Sequence, residues 1–308
     1  MYEYIISILP QAMRLTVPIL FAGLGGVLAS RSGVLNIGLE GSMLVGALAG
    51  VIGSYLSGNP WLGLLLAILA GGIIGIMFDL FALTLGAPQA VVGAAINIFS
   101  TGITAYVFRI IFATTSDTVS VNGFSSLKIP VLGDIPLLGE IFFDHNVLMY
   151  LAFLLVLVMH VYLYYTTGGL NLRSCGENSK ASDSVGIKVV QTRYITTILS
   201  SVLASVGGVA LSIGNVNTFV EGMSSGKGFI ALAALTFGRW SPLGVMLAAF
   251  LFGLVDAFQL RLQVSIVDAP YQYYQMLPYI VTIIVLVWTS QTGVTGPKTG
   301  EYFEKETK

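Results

Sequence analysis

Apolar runs recur along this chain near residues 11–30, 37–56, 62–85, 90–112, 147–166, 193–213, 217–238, 241–263 and 275–290, with hardly a charge inside them. A bilayer core about 30 Å thick needs ~20 apolar residues in a helix rising about 1.5 Å per residue. Leu62–Leu85 and Leu243–Gln263 meet that length. The pattern predicts an all-α fold: a polytopic transmembrane bundle of about nine spans. Two polar stretches interrupt it. Arg31–Gly41 separates the first two runs, and Asn215–Gly228 carries two Asn, one Glu, one Lys and several glycines where a helix should be.

Composition narrows the choices. Of 308 residues, 55% are hydrophobic and 9% charged, against roughly 25% charged in soluble domains. Mean hydropathy is +0.86. One transmembrane domain over residues 1–308 leaves little room for a soluble catalytic domain. Cys175 is the sole cysteine, so no intrachain disulfide forms, and a net charge of −1 argues against a nucleic-acid partner. Met1–Tyr4 lacks the basic residue of a cleavable signal. Gly23, Gly25 and Gly26 cluster in the first span, and Gly71, Gly72 and Gly75 in the third. Small residues let membrane helices approach closely, so packing is their expected role.

Basic residues set the orientation. The loop 168–193 carries Arg173, Lys180, Lys188 and Arg193, the tail 291–308 carries Lys298, Lys305 and Lys308, and Arg31 and Arg239 fall on the same side. Arg14, Arg109, Lys128 and Arg261 fall opposite. The reading places 168–193 and 291–308 in the cytoplasm and the N-terminus outside. Loop 113–146 is then extracellular, with Asp117, Asp134, Glu140 and Asp144 and turn signals at Pro130, Gly133 and Pro136. It is a connector or a cap over the outer mouth.

The halves echo each other. Glu40-Gly41, a small-residue helix, the turn Asn59-Pro60-Trp61-Leu62-Gly63 and a span ending near Asp79 form one block. Glu221-Gly222, Phe229–Thr236, the turn Trp240-Ser241-Pro242-Leu243-Gly244 and a span ending near Asp256 form the other. An odd number of spans between them makes the repeat inverted, a recurrent transporter plan with its substrate site at interrupted helices near the midplane.

An acidic residue at the bilayer centre costs ~2.5–3.5 kcal/mol on an insertion scale, so Glu40 and Glu221 face the interior or a watery cavity. Asn36, Glu40, Asn97, Asn217, Phe219, Glu221, Lys227 and Phe229 are the candidates for a substrate pathway, against the plainer roles of bonding broken backbone and packing the core. Lys227 is expected to be matched by nearby Glu221. Asp79 and Asp256 read as caps or snorkelling residues, His160 as a packed core histidine, Phe99 as core rather than a stacking surface, and Tyr271, Tyr273 and Tyr274 as an interfacial belt. No catalytic or metal-binding set stands out.

The segment Arg31-Ser-Gly-Val-Leu-Asn-Ile-Gly-Leu-Glu-Gly41, the loop Gly169–Ile187, the Gly-rich stretch 222–228 and Phe229-Ile-Ala-Leu-Ala-Ala resemble the permease subunits of ABC importers for branched-chain amino acids, simple sugars and nucleosides. The nucleoside members are the nearest. The resemblance covers nearly the whole chain; Cys175 departs from the aliphatic or small residue expected there. It implies a multi-pass protein of the bacterial cell membrane that is not itself an enzyme. Partners would be an ATPase subunit holding ATP and Mg, a second permease subunit, an external substrate-binding protein or lipoprotein, and a nucleoside. This chain has no Gly-x-x-x-x-Gly-Lys-Ser/Thr stretch to cradle nucleotide phosphates, and no cofactor of its own is expected.

The resemblance also gives loop 168–193 a purpose. Glu177–Val185 reads as a short amphipathic helix docking on the ATPase, with Arg173, Glu177, Asn178, Lys180, Ala181, Asp183 and Val185 as coupling residues. A simple-sugar or branched-chain amino acid permease, and a self-sufficient ion-coupled transporter with inverted repeats, are the alternatives. The last would need no docking helix.

Overall fold

The computed structural model describes residues 2–112, 120–128, 139, 141, 143–265, 271–290, 296–301 and 303. Helices α1 (Tyr2–Arg31), α2 (Leu39–Ser57), α3 (Pro60–Asp79) and α4 (Gln89–Phe112) form the first half. A two-stranded ribbon, β1 (Ser126–Lys128) and β2 (Asp144–Asn146), pairs antiparallel with Leu127 opposite His145. Then come α5 (Val147–Tyr165), α6 (Thr167–Glu177), α7 (Ser179–Ser184), α8 (Val189–Leu211), α9 (Lys227–Phe237), α10 (Pro242–Ser265), α11 (Tyr271–Gln275) and α12 (Leu277–Ser290). Asp117, Asp134, Glu140 and the turn signals at 130–136 lie outside the described residues.

Local chemistry sets several starts. Asn59 accepts from the Trp61 amide ahead of Pro60, Asn146 caps α5, Thr166 caps α6 and Asn178 caps α7. Such caps contribute about 1 kcal/mol each. Two helices overrun into π turns, α3 through Leu80–Thr84 and α8 through Ser212–Val216.

Among the described residues seven helices are long and apolar enough to cross a membrane. Their limits follow the expected runs within a few residues. The exceptions are 217–238 and 275–290, the second of which forms only the 14-residue α12. Residues 217–226 are irregular, and only Lys227–Phe237 is helical. Eleven residues at 1.5 Å each cover ~16 Å, half of a bilayer core. That crossing is a loop joined to a half-helix, because the apolar part of the run is too short to span alone.

α8 sits at the centre, packed on α1, α2 and α3. Glycine permits this closeness. A Cβ on Gly25 would stand 2.6 Å from the Ser200 carbonyl, and one on Gly75 2.7 Å from Ile198 Cα. Outward faces stay apolar, with Leu69, Ile73, Leu154 and Leu157 more than half exposed in the isolated chain, as lipid contact requires.

The chain gathers its turns at two ends. Arg31 donates to the carbonyls of Trp240 (2.7 Å) and Arg239 (3.2 Å), and Arg193 to that of Ser32 (3.2 Å). Those residues, α6, α7 and tail residues 296–301 and 303 therefore share one end. At the other, Ser54 and Gly58 bond Asn122, and Asn146 bonds Gly214. The turns before α3 and α10 thus lie at opposite ends, and the two helices run in opposite directions. This is the inverted relation the two blocks imply.

Candidate functional site

The break after α1 turns at Gly33, whose φ of +92° suits glycine. It is then pinned by amides. Asn36, 3% exposed, accepts from the Gly38 N–H (3.0 Å) and donates to the hydroxyls of Ser200 (3.2 Å) and Ser201 (3.4 Å) on α8. Asn97 on α4 accepts from the Gly41 N–H (2.8 Å) and donates to the Ile37 carbonyl (3.1 Å). Gln89 accepts from the Leu35 N–H at 2.7 Å. Irregular backbone at membrane depth must be satisfied within the protein, and these three side chains do that.

Glu40, in the first turn of α2, reaches across to the start of α9. Its carboxylate accepts from the Gly226 N–H (2.8 Å) and the Gly228 N–H (2.6 Å). The carboxylate thereby caps the half-helix at its positive end, with each charge-assisted bond worth about 1.5–3 kcal/mol. Gly226 sits at φ +82°. A Cβ on Gly228 would stand 2.5 Å from Glu40 Cα, so glycine is what lets α2 and α9 meet. Since α9 is half a core long, the meeting point lies near mid-depth.

Charges pair differently from expectation. Lys227 binds Asp256 on α10 at 2.8 Å, with 18% and 9% of the side chains exposed. Glu221 takes both fork nitrogens of Arg109 on α4, at 2.8 and 3.0 Å. The expected match of Lys227 with Glu221 is therefore wrong. As the first residue of α9, Lys227 lies against α10 rather than back toward the loop, and α4 supplies the cation for Glu221. Neither Asp256 nor Asp79 is a snorkelling residue. Asp79 is fully buried, with Thr197 beside it.

The candidates fall into groups. Asn36, Glu40 and Asn97 converge on the α2–α9 junction with Lys227 beside it. Phe219 is buried, its ring 5.1 Å from that of Phe108. Glu221 and Arg109 are exposed together, and Phe229 and Phe99 are about half exposed. Ile98, Gly102 and Arg109 share one face of α4 by their spacing, and a Cβ on Gly102 would meet nothing within 4 Å. Asn217, at φ 55°, stands apart. It lines a cavity of about 640 Å³ at the β-ribbon end with Arg14, Gln11, Asn146 and Asn215. His160 packs 4.9 Å from Tyr164.

The loop 168–193 holds two helices where one was expected. α7 covers Ser179–Ser184 within the expected 177–185, with Asn178 accepting from the Ala181 N–H at 3.0 Å. Glu177, Asn178, Lys180, Ala181 and Val185 are exposed, Val185 by 75%; Asp183 and Arg173 are half-buried. Arg173 stacks on Tyr164, 5.1 Å from the ring centre. Cys175 is fully buried, and burial pushes its thiol up. Sequence reasoning missed α6, Arg109 and the tail.

A mid-depth seam of amides, a capped half-helix and neutralised charges, with a small exposed helix at one end, suits passage of a polar solute coupled to a protein partner. The family described as branched-chain amino acid transport system / permease component matches residues 8–286. The guanosine ABC transporter permease protein NupQ of Bacillus subtilis is 38% identical over 288 residues, covering 91% of this chain and 90% of that protein. The nucleoside ABC transporter permease protein NupC of Lactococcus lactis is 34% identical over 278 residues, 87% of each. Among solved structures, an inward-facing metal-chelate-type ABC transporter is similar at TM-score 0.54 with 14% identity, covering 91% of this chain and 85% of that one. That likeness shows the fold.

Proposed function

The chain belongs to the permease-component family of branched-chain amino acid transport systems, and on that footing we propose that it carries nucleosides, purines ahead of pyrimidines, into the cell. It is a membrane permease subunit of an ABC importer. Hydrolysis of ATP with Mg resides in a separate ATPase subunit, a second, paralogous permease completes the membrane unit, and an external binding protein delivers the nucleoside. The membrane is the bacterial cell membrane. The loop 168–193 and the tail 291–308 face the cytoplasm, and 113–146 faces outside.

The observation that carries the substrate reading is the likeness to the guanosine permease protein over nine-tenths of both chains. The site is compatible with it. Asn36, Glu40 and Asn97 hold the break, Lys227 and Glu221 are each neutralised by a partner, and Phe229 stays exposed. Apart from the Glu40 carboxylate, which two backbone amides hold, a neutral solute with hydroxyls and a flat ring meets only paired charges there. A stacked base would add about 1–3 kcal/mol, while tight binding belongs to the external partner, since a permease must release what it receives.

Exposed α7, with Ala181 and Val185 outward, is the surface for the ATPase. Ala181→Asp or Val185→Asp should uncouple hydrolysis from transport while the protein still inserts. The test of substrate is uptake of labelled guanosine, adenosine, uridine, ribose and leucine in cells with and without the gene. Loss of the nucleosides alone is expected. Loss of ribose or leucine with nucleosides untouched moves the assignment to a sister group.

A further inference from the structure

Arg193 ties together three segments that are far apart in sequence. Its side chain is 3% exposed. Nε donates to the Ser32 carbonyl (3.2 Å), Nη2 to the Ser179 hydroxyl (2.7 Å) and Nη1 to the Glu301 carbonyl (2.9 Å). The Phe303 ring lies 5.9 Å from the guanidinium carbon. Ser32 opens the break that leads to Glu40, Ser179 is the first residue of α7, and Glu301 and Phe303 belong to the tail.

The surroundings are built around this joint. Thr196, one turn on, donates to the Ser32 hydroxyl at 2.7 Å. The Gly300 N–H donates to the Gly33 carbonyl at 3.2 Å. A Cβ on Gly33 would stand 2.8 Å from Arg193 Nη2 and 3.3 Å from Gly176 Cα and the Lys298 carbonyl. A Cβ on Gly176 would stand 3.0 Å from the Gly33 N–H nitrogen. The end of α6, the start of the break and the tail are therefore in contact, with the guanidinium between them.

We infer that Arg193 is the positioning residue that carries movement of α7 to the Gly33–Glu40 break, and that the tail, through Lys298, Gly300, Glu301 and Phe303, is a strap holding that joint closed. The path is continuous. Displacing α7 pulls Ser179, hence the guanidinium, hence Ser32. The break from Ser32 ends in the carboxylate that caps α9, so a shift there bears on the mid-depth junction. A rigid fork with donors in several directions is what the task needs. A lysine ammonium sits at one point and cannot reach the α1 end, α7 and the tail together. The inference rests on α7 meeting the ATPase, as proposed above.

The test uses the full complex of both permeases, the ATPase and the nucleoside-loaded binding protein in proteoliposomes. The readout is nucleoside transported per ATP hydrolysed, normalised to assembled complex. A residue with a merely structural role lowers assembly and leaves this ratio unchanged. Arg193→Gln and Arg193→Lys should each lower the ratio at least tenfold, the lysine giving no rescue. Ser179→Ala, which cuts the link to α7 along with the Ser179 hydroxyl's bond to the Cys175 carbonyl, and truncation after residue 295, which removes the strap and the five residues beyond it, should each lower it two- to fivefold. These two keep the inference testable if the Arg193 variants fail to assemble. A ratio within twofold of wild type in them, or full rescue by lysine, overturns it. A wild-type complex whose hydrolysis ignores the loaded binding protein overturns the functional reading and this inference with it.

Discussion

Removing the Glu40 carboxylate should destabilise the protein by about 3–5 kcal/mol, through a helix start 186 residues away in sequence. In Glu40→Ala the amides of Gly226 and Gly228 both lose their acceptor. An orphaned buried donor costs about 1–3 kcal/mol, and an anion at a helix N-terminus contributes a further ~0.3–1 kcal/mol. Glu40→Gln separates the contributions. Its amide oxygen still serves one of the two N–H groups, while its NH₂ faces the other, so about half the loss is expected. Glu40→Asp is a methylene shorter and should not bridge both amides, placing it between Gln and Ala. The assay is equilibrium unfolding in mixed micelles by titration with a denaturing detergent. Transport should fall in the same order, since the cap also fixes how α2 meets α9. A loss below ~1 kcal/mol for Ala, or Gln equal to Ala, would refute the capping role.

Lys227→Met and Asp256→Asn should each cost about 3–5 kcal/mol by leaving a partly buried charge unpaired. The double variant should recover most of that in a double-mutant cycle. Gly46→Ala should destabilise by at least about 1–3 kcal/mol, because its Cβ would stand 2.7 Å from the Ser205 carbonyl carbon. Gly102→Ala, with open space around it, is the control and should lose nothing in the same assay. His145 at the ribbon is 1% exposed and contacts the Ile141 carbonyl at 2.8 Å, and burial holds its imidazole below the usual 6.5. The unfolded chain takes up that proton first. This contribution is therefore complete above about pH 6.5 and declines as pH falls below it; unfolding midpoints from pH 8 to 5 should show the decline in wild type and lose it in His145→Gln.

Much of the fold is legible in the apolar runs because span length is fixed by the bilayer. Gln89–Phe112 and Val147–Tyr165 could be read within a residue. The half-helix was obscured because Phe219 and Val220 lend residues 217–226 an apolar look, although their glycines and asparagines leave the helix unformed. In the first break Asn36 and Glu40 were recognisable as interior, since lipid excludes them; in the second, Asn215, Asn217 and Glu221 are exposed, contrary to that expectation. The partners of the charged residues were not recognisable. Which cation meets Glu221, and which anion meets Lys227, depends on how α4 and α10 are placed, and near neighbours in sequence were the wrong choice. The role of Arg193 was hidden for the same reason. A basic residue at a span end reads as an orientation signal, and only the folded chain brings Ser32, Ser179 and Glu301 to one guanidinium.

The central claim is that this chain moves nucleoside only when a separate ATPase drives it. The most direct measurement is uptake of labelled guanosine into proteoliposomes, with the chain and its second permease reconstituted with and without the ATPase subunit and the binding protein. The expected result is accumulation that needs ATP and every partner, and that vanishes with Val185→Asp at the exposed tip of α7. Guanosine accumulation by the permeases alone, driven by an ion gradient and indifferent to ATP, would contradict it.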